Sequence, residues 1–430
     1  MTRLKSAFKW LAMVGGSLLS LALLAFAFLN WRAGACLEQQ LQALRKSGRP
    51  MSIAELAPSS VEPEQNALTY LRRAAKSAEA IGQELSVWRQ KMDTQQACIG
   101  FCSLPQEYYD RGRLNDRGVQ IVEAALGAFP EATPLIERAA DAPDYFPDHD
   151  YTLPPERFLE TYLERVQQAR MFARLLQYRG DLWLARHEHE GVLRNGLTLL
   201  RLGRHFQREP MLVAYLFSIA VQSMGVDQVA RALADGPVPN QLHDQVGAEI
   251  SRHLASRAFV AAIESDRAYG IDYFRSIRGV GLPWTFKQDE CDYLKRMAEE
   301  IEIGATPRYK VETALAQMKA HTQGAGPLTL DMLPALEAAR EACLRSRARL
   351  QCLSVLNVLT RREEQQDDGT PSIDELNLPD EIKVDPYNGQ PLKISRVATG
   401  WRVYSVGPNL KDDGGRIEKS EDVGVGADGS

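Results

Sequence analysis

No catalytic signature stands in these 430 residues. The zinc pattern of two histidines at i and i+4 is missing, no full tetratricopeptide signature recurs, and nothing places a nucleophile beside a base. Excess positive charge is missing too. Residues 1–35 hold Arg3, Lys5, Lys9 and Arg32 and no acid, which leaves 47 bases against 56 acids in the remainder. So acidic a body repels a phosphate backbone, and no nucleic-acid partner is expected. Within residues 10–29 charge is absent altogether.

As a helix at 1.5 Å per residue, that charge-free run reaches about 30 Å, the thickness of a bilayer core. Trp10 and Trp31 mark its ends, where indoles favour the headgroup layer, and Lys9 and Arg32 bracket them. A transmembrane anchor over residues 10–31 is the expectation. Two other fates share its grammar. A basic start, an apolar run and Ala33-Gly34-Ala35 suit a cleaved signal peptide, although the run is long for one. Cys36 after Ala35 suits lipoprotein processing, although Ala33 stands where such sites prefer a larger aliphatic residue. The flanking bases nearly balance: Arg3, Lys5 and Lys9 face Arg32, Arg45, Lys46 and Arg49. Orientation therefore follows the usual behaviour of a short basic tail, which stays inside. The expected address is the inner membrane of a bacterium, single-pass, with residues 1–9 cytoplasmic and the body periplasmic.

The six cysteines are compatible with an oxidising compartment without requiring one. Cys98 and Cys102 form the close pair, either a small bridge across the Gly100 loop or two lone buried thiols. Cys343 and Cys352 fall on opposite sides of one predicted helix and should not bond to each other.

The expected fold is mainly α: the N-terminal span, stacked antiparallel hairpins of tetratricopeptide-like type, and a small C-terminal α+β module with a β-hairpin. The divisions are a juxtamembrane stalk at 32–63 with a short helix over 37–45, a helical domain at 64–330, a long helix with its β module at 331–424, and a disordered tail at 425–430. Apolar faces recur at helical spacing: Phe158, Tyr162, Val166, Phe172 and Leu176 on one helix, Val192, Gly196, Leu199, Gly203 and Phe206 on the next, and Leu212, Leu216, Ile219, Ala220 and Met224 on a third. Gly279, Gly281 and Pro283 mark a loop before a helix around 289–303, and Pro334 reads as the first residue of the long helix.

Between the first helices and these hairpins, prolines break residues 141–155 into a loop bearing Asp144, Asp148, His149 and Asp150. It reads as a loop whose aromatics pack under the helices, with a metal or substrate site as the rival reading. His187 and His189, at i and i+2, should point to different helix faces. Glu264, Asp266 and Arg267 read as helix ion-pair residues rather than a catalytic pair.

The C-terminal region changes grammar. β-type runs over 392–397 and 401–406 are joined through Ala398-Thr399-Gly400, and the glycine-broken acidic loop that follows suits a hard cation, since Ca2+ takes six to eight oxygens. The long helix, Thr370-Pro-Ser-Ile-Asp-Glu-Leu376, Asp385-Pro386, Pro391-Leu392, Tyr404-Ser-Val-Gly407 and Gly414-Gly415 together resemble the head of the major pseudopilin of type II secretion. That resemblance implies a Ca2+ site at Asn409, Asp412 or Asp413, and Asp422, with the Val406 carbonyl. Asn409 stands where that family favours Asp, the Asp412-Asp413 loop has one extra residue, and the pseudopilin processing site is missing. Over its whole length the chain is similar to uncharacterised single-pass proteins of planctomycetes and myxobacteria, a likeness that implies a fold and an address rather than a reaction. The functional expectation is a membrane-tethered, non-catalytic interaction or scaffold protein with envelope protein partners. The alternatives are a calcium-binding accessory of a secretion or pilus-like system and an envelope hydrolase using the Asp144–Asp150 loop with Glu264 or Asp266.

Overall fold

The computed structural model describes residues 2–90, 104, 106–110, 112–277, 282–321, 326–364, 371–417 and 421–427. Cys98 and Cys102 lie outside them. The fold is mainly helical with a small C-terminal antiparallel sheet, as expected.

Helix α1 (Thr2–Ser47) is continuous, so the apolar run and the expected short helix at 37–45 are one element. Nothing between them breaks a helix; Gly48, with φ 66°, and Pro50 end it. Its first part exposes Leu18, Leu24 and Phe28, whereas Ala33, Leu37 and Leu41 are buried. It is apolar and long enough to cross a membrane, as is the mostly buried α7 described below. Residues expected as a stalk are packed onto the body: the 3-10 turn Ile53–Leu56 buries Ile53, and Asp272 accepts a hydrogen bond from the Ile53 amide at 2.8 Å.

The body continues with α2 (Ala67–Gln90), the two-residue strands β1 (Tyr109–Asp110) and β2 (Arg113–Leu114), α3 (Asp116–Gly127) and α4 (Ala132–Asp141). Then come α5 (Pro155–Ala185), α6 (His189–Phe206), α7 (Leu212–Asp235) and α8 (Asn240–Leu254). Phe158, Tyr162, Phe172 and Leu176 are buried in α5, and Val192, Leu199 and Phe206 in α6, as their spacing predicts. The third predicted face needs correction. Leu212 is buried as expected, but Leu216, Ile219, Ala220 and Met224 form the half-buried side of α7; its most buried side carries Ser218, Val221, Gln222, Gly225 and Val229. The reason is close approach. A Cβ on Gly225 would lie 2.8 Å from the Gly196 carbonyl, so small residues let the α6 and α7 backbones meet.

Beyond α9 (Ala258–Ser276), α10 (Pro283–Ile303) and α11 (Arg308–His321), the long α12 (Pro327–Glu364) starts at Pro327 rather than Pro334. Pro327 takes the first-turn place that costs no hydrogen bond. α10 likewise starts at a proline, earlier than predicted. After α13 (Asp380–Lys383) the expected hairpin forms from β3 (Lys393–Val397) and β4 (Gly400–Ser405), with Ile394 opposite Val403. A third strand, β5 (Val423–Gly426), pairs with β4 where the sequence reading has an acidic run and a tail. Its glycines conceal it: a Cβ on Gly424 would lie 2.3 Å from the Val403 carbonyl, while Val423 and Val425 face the core. α12 joins the parts, sharing one apolar cluster with α6, α7, α8 and the sheet and another with α1, α9 and α10.

Candidate functional site

The loop after β4 gathers the four residues expected to hold Ca2+. Asp385, buried before the hairpin, sets the loop's origin: its carboxylate accepts from the Tyr387 amide at 2.8 Å, the Ser405 hydroxyl at 2.8 Å and the Val406 amide at 2.9 Å. Within the loop, Asn409 Nδ2 donates to Asp413 at 3.0 Å. Asp412 accepts from the Gly414 amide at 3.0 Å and the Tyr404 hydroxyl at 3.1 Å, and Lys393 lies 3.5 Å away. Asp422 is buried and accepts from the Gly415 amide at 2.8 Å and the Asp413 amide at 3.4 Å. The Gly414 amide first, with Tyr404 and Lys393, holds the pKa of Asp412 below the usual range, whereas burial first and the charges of Asp413 and Asp412 push that of Asp422 up. Asn409, Asp412, Asp413 and Asp422 thus share one loop, with oxygens of Asn409, Asp412 and Asp422 turned to its backbone and Asp413 bonded to the Asn409 side chain. Among the described residues, no group of three or more His, Cys, Asp and Glu side chains is placed to hold a metal ion.

The other sequence candidate, the loop before α5, walls a cleft of about 600 Å³ between Pro58–Val61 residues, Tyr145, Tyr151 and Arg208. Its aromatics pack inward as expected, with His149, Tyr151, Phe158 and Tyr162 in mutual contact. His149 Nε2 lies 2.5 Å from Glu209, whose other oxygen accepts from Tyr145. Burial, with Glu209 nearby, pushes the Tyr145 hydroxyl's pKa well up, so it remains a donor. Around this pair the acids are engaged: Asp148 with Arg72 and Arg165, Asp144 with Arg208, and Asp150 with the Thr152 amide and hydroxyl. Glu264 pairs with Arg49 rather than facing the loop. Asp266 is half-buried, accepts from the Leu212 amide at 2.9 Å, and is pushed up to about 6 by desolvation. The structure therefore joins His149 to Glu209, a partner no local spacing signals, and leaves Glu264 out.

His187 and His189 do approach one group. Each Nδ1 faces Asp235 Oδ2, at 3.7 and 3.9 Å, because the chain turns between α5 and α6 with His187 at φ 57°. Their shared partner, Asp235 at the end of α7, is distant in sequence and signalled by no local spacing. Asp235 is also held by Arg113, which donates to the Leu184 carbonyl at 2.6 Å, so the cluster pins the hairpin's turn to the end of α7.

At the foot of the body Cys36 of α1 is bonded to Cys291 of α10, with Cα atoms 6.1 Å apart. A thiol so used is not free for lipid attachment. Cys343 and Cys352 are buried free thiols, unbonded to each other as their spacing requires. No family model, no curated protein and no solved structure matches this chain.

Proposed function

We propose that this chain is a membrane-tethered interaction or scaffold protein of the bacterial envelope, held by α1, with residues 1–9 in the cytoplasm and the body in the oxidising space outside it. The Cys36–Cys291 bond carries the reading. It joins a residue just past the charge-free run to the body, and such bonds persist outside the cytoplasm. A retained α1 is supported by contacts that residues before Ala35 make with the body: Lys287 donates to Asn30, and Ala33 is buried. The interaction role is supported by the cleft floored by the buried Tyr145 and Tyr151 and rimmed by the exposed Arg208, and by the engagement of the neighbouring acids in ion pairs.

Two measurements test it. Non-reducing electrophoresis of membranes, with thiols alkylated before lysis, should show Cys36 and Cys291 protected until reductant is added; free thiols in growing cells would place the body in the cytoplasm. Photo-crosslinking from position 151 in intact cells should yield a protein adduct, and turnover of a substrate by the purified chain with no adduct would replace the scaffold by an enzyme.

A second reading, a calcium-dependent accessory of a secretion or pilus-like machine, is supported by the resemblance of the C-terminal region and by the presence of Asn409, Asp412, Asp413 and Asp422 on one loop. Ca2+ would have to take Asp422 from two amides. Calorimetry of the full chain decides: no heat at millimolar Ca2+ ends it.

A further inference from the structure

Helices α1, α10 and α12 run parallel at one end of the body. Cys36 is bonded to Cys291, and Lys287 Nζ donates to Asn30 Oδ1 at 3.0 Å, so both helices advance away from the apolar run together. Thr329 bonds Asp289 at 2.6 to 3.1 Å and Arg340 bonds Glu300 at 2.8 Å, which sets α12 in the same direction. Counting back from the disulfide along α10 brings Pro283 level with Phe28, Trp284 with Leu29 and Phe286 with Trp31. At 1.5 Å per residue, Pro283 lies about 12 Å below the disulfide, inside the apolar run.

That end is built of the residues a bilayer interface takes. Leu282 is 54% exposed and Trp31 68%, Leu330 is 44% exposed a turn farther from the run, and Trp284 and Phe286 are half-buried beside them. Residues 29–37, 282–288 and 326–330 contain no carboxylate, while Arg32 and Lys287 supply positive charge at the same level. Indoles and basic side chains together favour the headgroup layer, and long basic chains can reach its phosphates.

We infer that this end of the body is a second membrane-contact surface, with Leu282, Trp284 and Phe286 inserted in the interfacial layer of the bilayer that α1 spans. The body is then docked against lipid rather than displayed on a stalk. The inference rests on α1 being a retained span.

The test places photoreactive p-benzoylphenylalanine at position 284, at position 24 within α1, or at exposed position 410 on the C-terminal loop, in the full chain reconstituted in vesicles of phosphatidylethanolamine and phosphatidylglycerol. Retention of the Cys36–Cys291 bond on a non-reducing gel reports folding, and position 286 replaces 284 should that variant lose the bond. Lipid adducts at 24 and at 284, severalfold above those at 410, are expected. Adducts at 24 with 284 no higher than 410 overturn the contact surface and leave the anchor standing. No adducts at either position overturn both.

Discussion

Two helix pairs organise this molecule, and they are held by opposite means. α6 and α7 are neighbours in sequence and meet through glycines, with Gly196 and Gly225 each against the other's carbonyl. α1 and α10 are joined by a disulfide across a sequence separation of 255, with the charged Arg296, Glu300 and Arg340 between α10 and α12 beside it. The first pair gains from close packing of backbones and has little closure entropy to overcome. The second must be brought together from distant parts of the chain, where a cross-link that restricts the unfolded state helps most. The difference suggests a locally formed centre and a covalently secured foot.

The largest way to break that contrast lies at the foot. Glu300 is buried and takes both oxygens to Arg340 at 2.8 Å, with Arg296 at 3.3 Å. Glu300→Ala leaves those guanidinium groups facing one another and should cost about 3–5 kcal/mol in urea unfolding of the detergent-solubilised chain. A loss under about 1 kcal/mol would mean that solvent reaches the cluster. Removing the disulfide, as Cys36→Ser with Cys291→Ser, should cost about 2–4 kcal/mol, and reductant should reproduce the loss in the native chain but change nothing in the double variant.

At the centre, glycine substitution should separate two kinds of helical glycine. Gly225→Ala sets a Cβ 2.8 Å from the Gly196 carbonyl and 3.0 Å from the Leu200 amide nitrogen, backbone atoms that yield only if the helices part. It should lower stability by about 2 kcal/mol. Gly247 in α8 has nothing within 4 Å of such a Cβ, and Gly247→Ala should raise stability by about 0.5–1 kcal/mol through the lost freedom of the unfolded chain. Equal signs in thermal melts would remove close approach as the explanation.

How far the sequence discloses these features depends on the range of the interaction. The faces of α5 and α6, the proline-broken loop and the β3–β4 hairpin were readable because periodicity and turn residues are local. The inner face of α7 was misread because it is made of Ser218, Gln222 and Gly225, residues that hydrophobic period passes over. β5 was missed for a similar reason: alternate glycines erase the strand pattern that Val423 and Val425 begin. For the candidate loop, Asn409, Asp412, Asp413 and Asp422 are what the resemblance implies, whereas Asp385, Tyr404 and Lys393, which bond to the loop or its start, come from separate elements. Pairings such as Cys36 with Cys291 and His149 with Glu209 are decided by tertiary structure, and no spacing encodes them.

A condition-dependent effect sharpens the account of the α6–α7 centre through pH. His253 of α8 donates from Nε2 to the Leu200 carbonyl at 3.0 Å, and its buried Nδ1 has no hydrogen-bond partner. His205 repeats the arrangement toward the Ala140 carbonyl at 3.2 Å. A proton added to either Nδ1 would create a buried donor without an acceptor, and burial pushes both histidines down to about 4. For His253 the neighbouring charges divide, with Glu249 at 3.7 Å raising its pKa and Arg204 lowering it, so desolvation decides. An unfolded histidine titrates near 6.5, and the unfolded chain therefore takes up the proton first as pH falls. Stability from this source is fully present above about pH 7 and drains away between about 6.5 and 4. His253→Gln keeps an amide donor for Leu200 and removes the titration. Relative to the native chain, its loss of stability between pH 7 and pH 5 should be smaller by about 1–2 kcal/mol, and parallel curves for the two proteins would show that His253 is already protonated in the folded state.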